Sequence, residues 1–200
     1  MNNTGIIVLA AGNSSRFGKP KQLLVHQGKT LIEHISGEAL KAGLNPVVVV
    51  TGAGSEAVAH VLADTAVEIV YNKQWEQGMA SGIVAGLSEI LLLNAKIQSV
   101  IIAVCDQPFV SASLFEQLIK CKMESQKGII GCAYAGTVGT PVLFERAYFK
   151  TLLQLQRDQG AKKVLKMHGS DLANILFEKG EFDIDTIEDY NRLHSRTQER

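Results

Sequence analysis

Arg16, Lys19 and Lys21 fall within six residues of one another in Leu9-Ala10-Ala11-Gly12-Asn13-Ser14-Ser15-Arg16-Phe17-Gly18-Lys19-Pro20-Lys21-Gln22. No acid occurs between Met1 and Gln22. Small residues let a backbone approach a ligand closely and turn its N–H groups toward it. Arg and Lys add charge and hydrogen-bond donors, so the stretch suits a polyphosphate. Asp106, in Cys105-Asp106-Gln107-Pro108, ends an apolar run. A carboxylate there is costly unless paired or metal-bound, and Pro108 stops the run and fixes it at the sheet edge. Asp183 and Asp185 flank Ile184 and would share one face of an extended segment, so either could reach an ion. The plainer reading of that region is a helix start at Thr186 and Asp189.

Two common phosphate motifs fit less well. A P-loop needs four residues between its glycines and a hydroxyl after the lysine; here five separate Gly12 from Gly18, and Pro20 follows Lys19. Gly52-Ala53-Gly54-Ser55-Glu56-Ala57, with Glu68 downstream, matches a dinucleotide fingerprint, but it lies in the second βα unit. A tight turn into a helix is the favoured reading.

These residues need a frame to hold them. Gly5–Ala10, Pro46–Thr51, Val67–Tyr71 and Ser99–Val104 are short, apolar and β-branched, as strands covered on both faces are. Helical periodicity separates them: Thr30–Ala42 with a capping box to Glu33, Ser55–Ala63, Met79–Leu93, and Ser111–Met123 capped by Ser111. Such alternation predicts βαβ units in a three-layer, Rossmann-like α/β domain, a mostly parallel sheet with helices on both faces. Right-handed crossovers bring the strands' carboxyl ends, and hence Gly12–Lys21 and Asp106, to one edge, where open α/β sheets bind ligands. The second half is less regular. It predicts strands at Gly128–Tyr134 and Thr137–Phe144, a helix over Phe144–Arg157, a strand at Ala173–Phe177 and a helix over Thr186–His194. No linker or repeat interrupts the chain, so one domain over residues 1–200 is expected.

Lys+Arg and Asp+Glu are 20 each, which argues against a protein that coats nucleic acid or an anionic membrane. With 46% hydrophobic residues the chain can bury a substantial core. No apolar run reaches membrane-spanning length and no basic leader opens the chain, so a cytoplasmic location is expected. Three scattered cysteines fit a reduced compartment. The five histidines lack ligand spacing, and Cys105 suits core packing better than nucleophilic attack.

Leu-Ala-Ala-Gly-Asn-Ser-Ser-Arg-Phe-Gly-Lys-Pro-Lys-Gln resembles the signature of the molybdenum-cofactor (MobA-like) nucleotidyltransferases, and the resemblance runs along almost the whole chain. Within that family the sequence is most similar to molybdenum cofactor cytidylyltransferases, which transfer CMP from CTP to the terminal phosphate of molybdopterin. The resemblance implies that Leu9, Ala10, Ala11, Gly12, Ser14, Ser15, Arg16 and Lys21 bind nucleotide, and that Gly78 and Ser81 of Trp75-Glu76-Gln77-Gly78-Met79-Ala80-Ser81 face it. It makes Asp106 and Asp185 ligands of Mg²⁺, with Mn²⁺ as a substitute, and Arg16, Lys21 and Asp106 the catalytic set. Gln107, Pro108, Gly139, Pro141, Asp158, Gly160 and Lys162 become acceptor contacts. Arg157 and Lys162 depart from the family's acceptor motif, which has Gly and Arg at those positions. Gly82 and Gly86 are read only as close packing of a helix on the sheet.

Ala10-Ala11-Gly12 resembles cytidylyl-type rather than guanylyl-type members. A guanylyl transferase, a sugar- or alcohol-phosphate nucleotidyltransferase and a non-catalytic molybdopterin carrier for xanthine-dehydrogenase-type enzymes remain as alternatives. A molybdenum hydroxylase is the expected recipient of the product. An oxidoreductase built on Gly52–Ala57 is the rival from outside the family.

Overall fold

Strand β1 (Thr4–Ala10) is buried along its length except at Leu9, because it lies in the middle of a sheet covered on both faces. The protein is seen here as a computed structural model that describes residues 3–12, 20–157 and 159–198. After β1 come a small hairpin, β2 (Val25–His26) and β3 (Lys29–Thr30), and helix α1 (Leu31–Lys41), which opens on a Thr30/Glu33 capping box. Then follow β4 (Val47–Thr51), α2 (Ser55–Val61), β5 (Glu68–Tyr71), α3 (Met79–Leu93), β6 (Ser99–Val104) and α4 (Ala112–Ser125). The Ser111 side chain accepts from Leu114 N–H to cap α4. The chain continues through β7 (Ile129–Tyr134), β8 (Thr137–Glu145), α5 (Phe149–Leu153), α6 (Ala161–Met167), β9 (Leu172–Leu176) and α7 (Ile187–Gln198).

Seven strands form the main sheet in the order β5-β4-β1-β6-β8-β7-β9. β5, β4, β1 and β6 run parallel, β8 is antiparallel to both β6 and β7, and β9 is parallel to β7. Side chains alternate across the pleat. Ile6, Val8, Val49, Ile101 and Ala103 pack in one core with α1, α2 and α4 residues such as Ile32, Val58 and Phe115. Ile7, Val48, Val50, Val100 and Ile102 pack in the other with α3, α5 and α6 residues such as Ile83, Leu152 and Val164. This is the expected three-layer arrangement.

Close approach on the α3 side depends on Gly86. A Cβ there would stand 2.6 Å from Ile7 Cγ2 and 2.9 Å from Val50 Cγ2. The Gly52–Gly54 turn is a packing device as well: a Cβ on Gly52 would lie 2.7 Å from the Trp75 side chain, and Gly54 has φ +79° at the start of α2.

The region after Phe144 differs from the helix expected over Phe144–Arg157. Phe144 pairs with Val100 and Ile129 in the sheet and is fully buried, so β8 runs on to Glu145. A 3₁₀ turn at Arg146–Tyr148 leads into the short α5, which stops at Leu153 where Gln154 (φ −97°, ψ 2°) leaves the helix. A separate helix, α6, then buries Ala161, Val164 and Leu165. Those positions fall at i, i+3 and i+4, the spacing of one helical face. Among the described residues no helix is long and apolar enough to cross a membrane.

Candidate active site

The carboxyl ends of β1 and β6 lie side by side, and Cys105 N–H donates to the Leu9 carbonyl at 3.3 Å. Pro20 opens a 3₁₀ turn over Lys21–Leu23 that returns the chain to this edge. Gln22, 1% exposed, donates from Nε2 to the carbonyls of Ala10 (2.6 Å) and Gly12 (3.2 Å), fastening the turn to the end of β1. Lys21 Nζ is thereby held 2.5 Å from Asp106 Oδ2 and 3.1 Å from Asp185 Oδ1. Asp185 arrives from 79 positions along the chain from Asp106. Its segment lies outside the sheet: Ile184 turns into the core and donates from its N–H to the Asp106 carbonyl at 3.0 Å. Immediately after Asp185, Thr186 and Asp189 cap α7 reciprocally.

Burial alone would lower the Lys21 ammonium's pKa. The adjacent Asp106 charge and hydrogen bonds to Asp106 and Asp185 outweigh it and hold the pKa above the usual lysine value. Lys21 is a fixed cation. Asp183 lies on the other side of Ile184, and its carboxyl is pushed up to about 6 by desolvation first and then by repulsion from Asp106 and Asp185. Since Asp183 keeps solvent access, that repulsion is what a cation would relieve. Asp106 Oδ1 is buried and accepts no hydrogen bond among the described residues. These hard oxygen donors fit a divalent cation such as Mg²⁺ or Mn²⁺. Among the described residues no three acid, His or Cys side chains already stand as a metal cage. Two carboxylates with further positions left to water and phosphate is the usual way Mg²⁺ is held.

A cleft of about 340 Å³ extends from Asp106 and Asp183 past Tyr134 and Met79 to Gly160 and Lys162. Its floor is aliphatic, with Ile102, Val104, Val142 and Leu165. Gly139 lines it too, and its bare Cα is filled from the side: a Cβ there would collide with the Tyr134 hydroxyl. A Cβ on Gly180 would strike the same tyrosine's ring. Tyr134 is thus slotted between two glycines. Burial is the main reason its phenol stays neutral well into the alkaline range, so it can donate a hydrogen bond. Gly160 similarly makes room for the Met79 sulfur, which a Cβ would approach to 2.6 Å.

The remaining candidate residues fall in several places. Ala10 ends β1 beside the half-buried Leu9, Ala11 follows it, and Gly12 lies close to the Lys21 stem. Ser14, Ser15, Arg16 and Asp158 lie outside the described residues. Gly78 (φ 95°) starts α3, and the Ser81 hydroxyl is bonded to Asn72 Nδ2 and to the carbonyls of Gln74 and Gly78. Those bonds shape the start of α3. Gln107 is buried and donates to the Gly180 carbonyl at 2.9 Å, holding the turn that backs Tyr134. Pro141 is buried in β8. Pro108 lies in a second cleft, with Phe109, Phe182 and Leu193 under α7, and not beside Lys162.

Tyr134 and Met79 were not singled out from sequence. Their signal was weak, because a Tyr before a Gly-containing turn and a Met at a helix start are ordinary until the facing glycines are located. Cys105 adds no nucleophile: burial first, then the Asp106 charge, keep its thiol protonated.

Residues 6–172 match the MobA-like NTP transferase domain. Nicotine blue oxidoreductase of Paenarthrobacter nicotinovorans is 29% identical over 202 residues, covering 95% of each chain. Rv0371c of Mycobacterium tuberculosis H37Rv superposes with a TM-score of 0.80 at 28% identity, over 96% of this chain and 97% of that one. The same protein in complex with manganese gives 0.79 at 26% identity, over 95% and 97%. Motif, sheet order and family match agree: the chain belongs to the MobA-like NTP transferase family, a family of nucleotidyltransferases.

Proposed function

We propose that the chain, acting as one nucleotidyltransferase domain, moves CMP from CTP onto the phosphate of molybdopterin and releases pyrophosphate. The observation that carries the reading is the meeting of Lys21, Asp106 and Asp185 at the carboxyl edge of the sheet, where the loop after β1 also ends. Ala10-Ala11-Gly12 supports cytosine over guanine. The cleft beyond Asp106 supports a phosphorylated acceptor, because Lys162 offers it one cation and Tyr134 one donor. Manganese bound to Rv0371c supports a divalent requirement.

The acceptor's phosphate oxygen attacks the α-phosphorus of CTP, and the bond to the β-phosphate oxygen breaks in line, leaving as pyrophosphate. No covalent enzyme intermediate is needed. Lys21 stabilises the charge that grows on the α-phosphate oxygens. Asp106 and Asp185 would hold Mg²⁺, which supplies charge neutralisation to the phosphates when bound. Arg16 and the loop up to Gly18 are assigned the β- and γ-phosphates. The cleft orients the acceptor and excludes bulk water from its aliphatic side.

A thermal-shift panel of the four ribonucleoside triphosphates with Mg²⁺ tests the nucleotide, since selective binding raises stability by mass action. CTP should give the largest shift; equal shifts from all four would refute the base assignment. Pyrophosphate release from CTP, Mg²⁺ and molybdopterin tests the reaction and separates an enzyme from a carrier. The name of the P. nicotinovorans relative favours a second reading, an oxidoreductase, for which Gly52–Ala57 would be the dinucleotide turn. Packing of Trp75 over Gly52 speaks against its dinucleotide turn. Quenching or enhancement of NADH fluorescence at concentrations where CTP·Mg²⁺ has no effect would favour it.

A further inference from the structure

Lys21 has two tasks that exclude each other. To reach an α-phosphate it must face the nucleotide, yet its Nζ stands between Asp106 Oδ2 and Asp185 Oδ1 at 2.5 and 3.1 Å. Mg²⁺ sits about 2.1 Å from its oxygen ligands. An ion bonded to those same two oxygens would compete with the ammonium for them, cation against cation.

The arrangement is built and not incidental. The Lys21 side chain is only 17% exposed, and the turn that carries it is fastened through Gln22 to the end of β1. Among the described residues one ammonium faces three carboxylates, Asp106, Asp183 and Asp185, and repulsion from the other two adds to desolvation in raising Asp183. Among the described residues Lys21 is the cation that bridges the Asp106 and Asp185 carboxylates.

We propose that Lys21 is a placeholder for the divalent ion: its ammonium occupies the carboxylate pair until a nucleotide phosphate draws it away, and only then do Asp106 and Asp185 take the ion. Metal affinity is therefore low in the nucleotide-free protein and is linked to phosphate binding through one side chain. The inference rests on the nucleotidyl-transfer reading for the identity of the phosphate. Competition between ammonium and ion requires neither acceptor nor turnover.

The test is Mn²⁺ titration of the nucleotide-free full chain, with free ion followed by electron paramagnetic resonance, on wild type, Lys21→Met and Asp106→Asn. Lys21→Met should bind Mn²⁺ at least tenfold more tightly than wild type, and Mn²⁺ should raise its melting temperature more than it raises that of wild type. Lys21→Gln, which keeps length and polarity without charge, gives the same reading should Met prevent folding. Equal or weaker Mn²⁺ binding in both Lys21 variants would overturn the placeholder, because ion and ammonium would then coexist, the ion using Asp106 Oδ1. Asp106→Asn should lose Mn²⁺ binding. Wild-type binding in Asp106→Asn would overturn the carboxylate site itself and with it the metal assignment, a failure distinct from that of Lys21 alone.

Discussion

The two sides of the site, the one we assign to the nucleotide and the one we assign to the acceptor, are built by opposite means. On the side we assign to the nucleotide, charge dominates: one lysine and two carboxylates meet near the ends of β1 and β6, which are neighbouring parallel strands. On the acceptor side, shape dominates. Tyr134 comes from the β7–β8 hairpin, Lys162 from α6 and Asp183 from the segment before α7, and Gly139, Gly160 and Gly180 make the room between them. The contrast teaches that a shared chemical step and a variable partner make different demands. Phosphoryl charge is the same in every nucleotide, so a fixed electrostatic cradle suffices. An acceptor must be told from others, and discrimination needs a fitted wall.

Substitutions on the two sides should therefore fail differently. Lys21→Ala should lower kcat by a hundredfold or more, corresponding to about 3 kcal/mol of lost transition-state stabilisation. A kcat within about threefold of wild type would place the chemistry elsewhere. Gly139→Ala should instead act through packing. The new methyl meets the Tyr134 hydroxyl while the ring is backed by Gly180, and such overpacking costs about 1–3 kcal/mol. Chemical denaturation would measure the loss, and Tyr134→Ala in the same chain should relieve part of it; no relief would break the slot account.

Lys162→Ala is the finer probe. On the proposed function it should raise the KM for the molybdopterin acceptor by about tenfold, the weight of one exposed charged contact, with the KM for CTP unchanged. A matched rise in both would merge the two sides. The smallest effect is expected far from the site. Asp171 accepts from the Tyr148 hydroxyl (2.5 Å) and Gly128 N–H (3.2 Å), and chiefly the first of these holds its carboxyl below the ordinary value. Its stabilisation is full above the unfolded pKa of about 3.9 and is lost as pH falls through the lower folded value. Asp171→Asn should cost about 1 kcal/mol at neutral pH with activity intact, and the gap from wild type should close in acid.

The first half of the chain was legible because its information is local. β-Branched runs of strand length, the Thr30/Glu33 capping box and the Ser111 cap each act within a few residues, and each element appears near its expected bounds. After Phe144 the locally favoured helix competed with pairing to Val100 and Ile129, residues far away in sequence, and burial of the ring won. The cleft beside Asp106 was hidden for a related reason: a glycine's empty side is informative only once its filler is known, as Tyr134 is for Gly139.

Residue types alone determined the layered α/β plan, the basic loop after the first strand and the acids able to face it, since hydrophobic period, caps and charge are written residue by residue. Tertiary structure decided that Lys21 lies between Asp106 and Asp185, that Pro108 parts from Lys162, and that Tyr134 wedges between glycines. Those are relations among segments tens of residues apart, and only the packing of the sheet sets their distances.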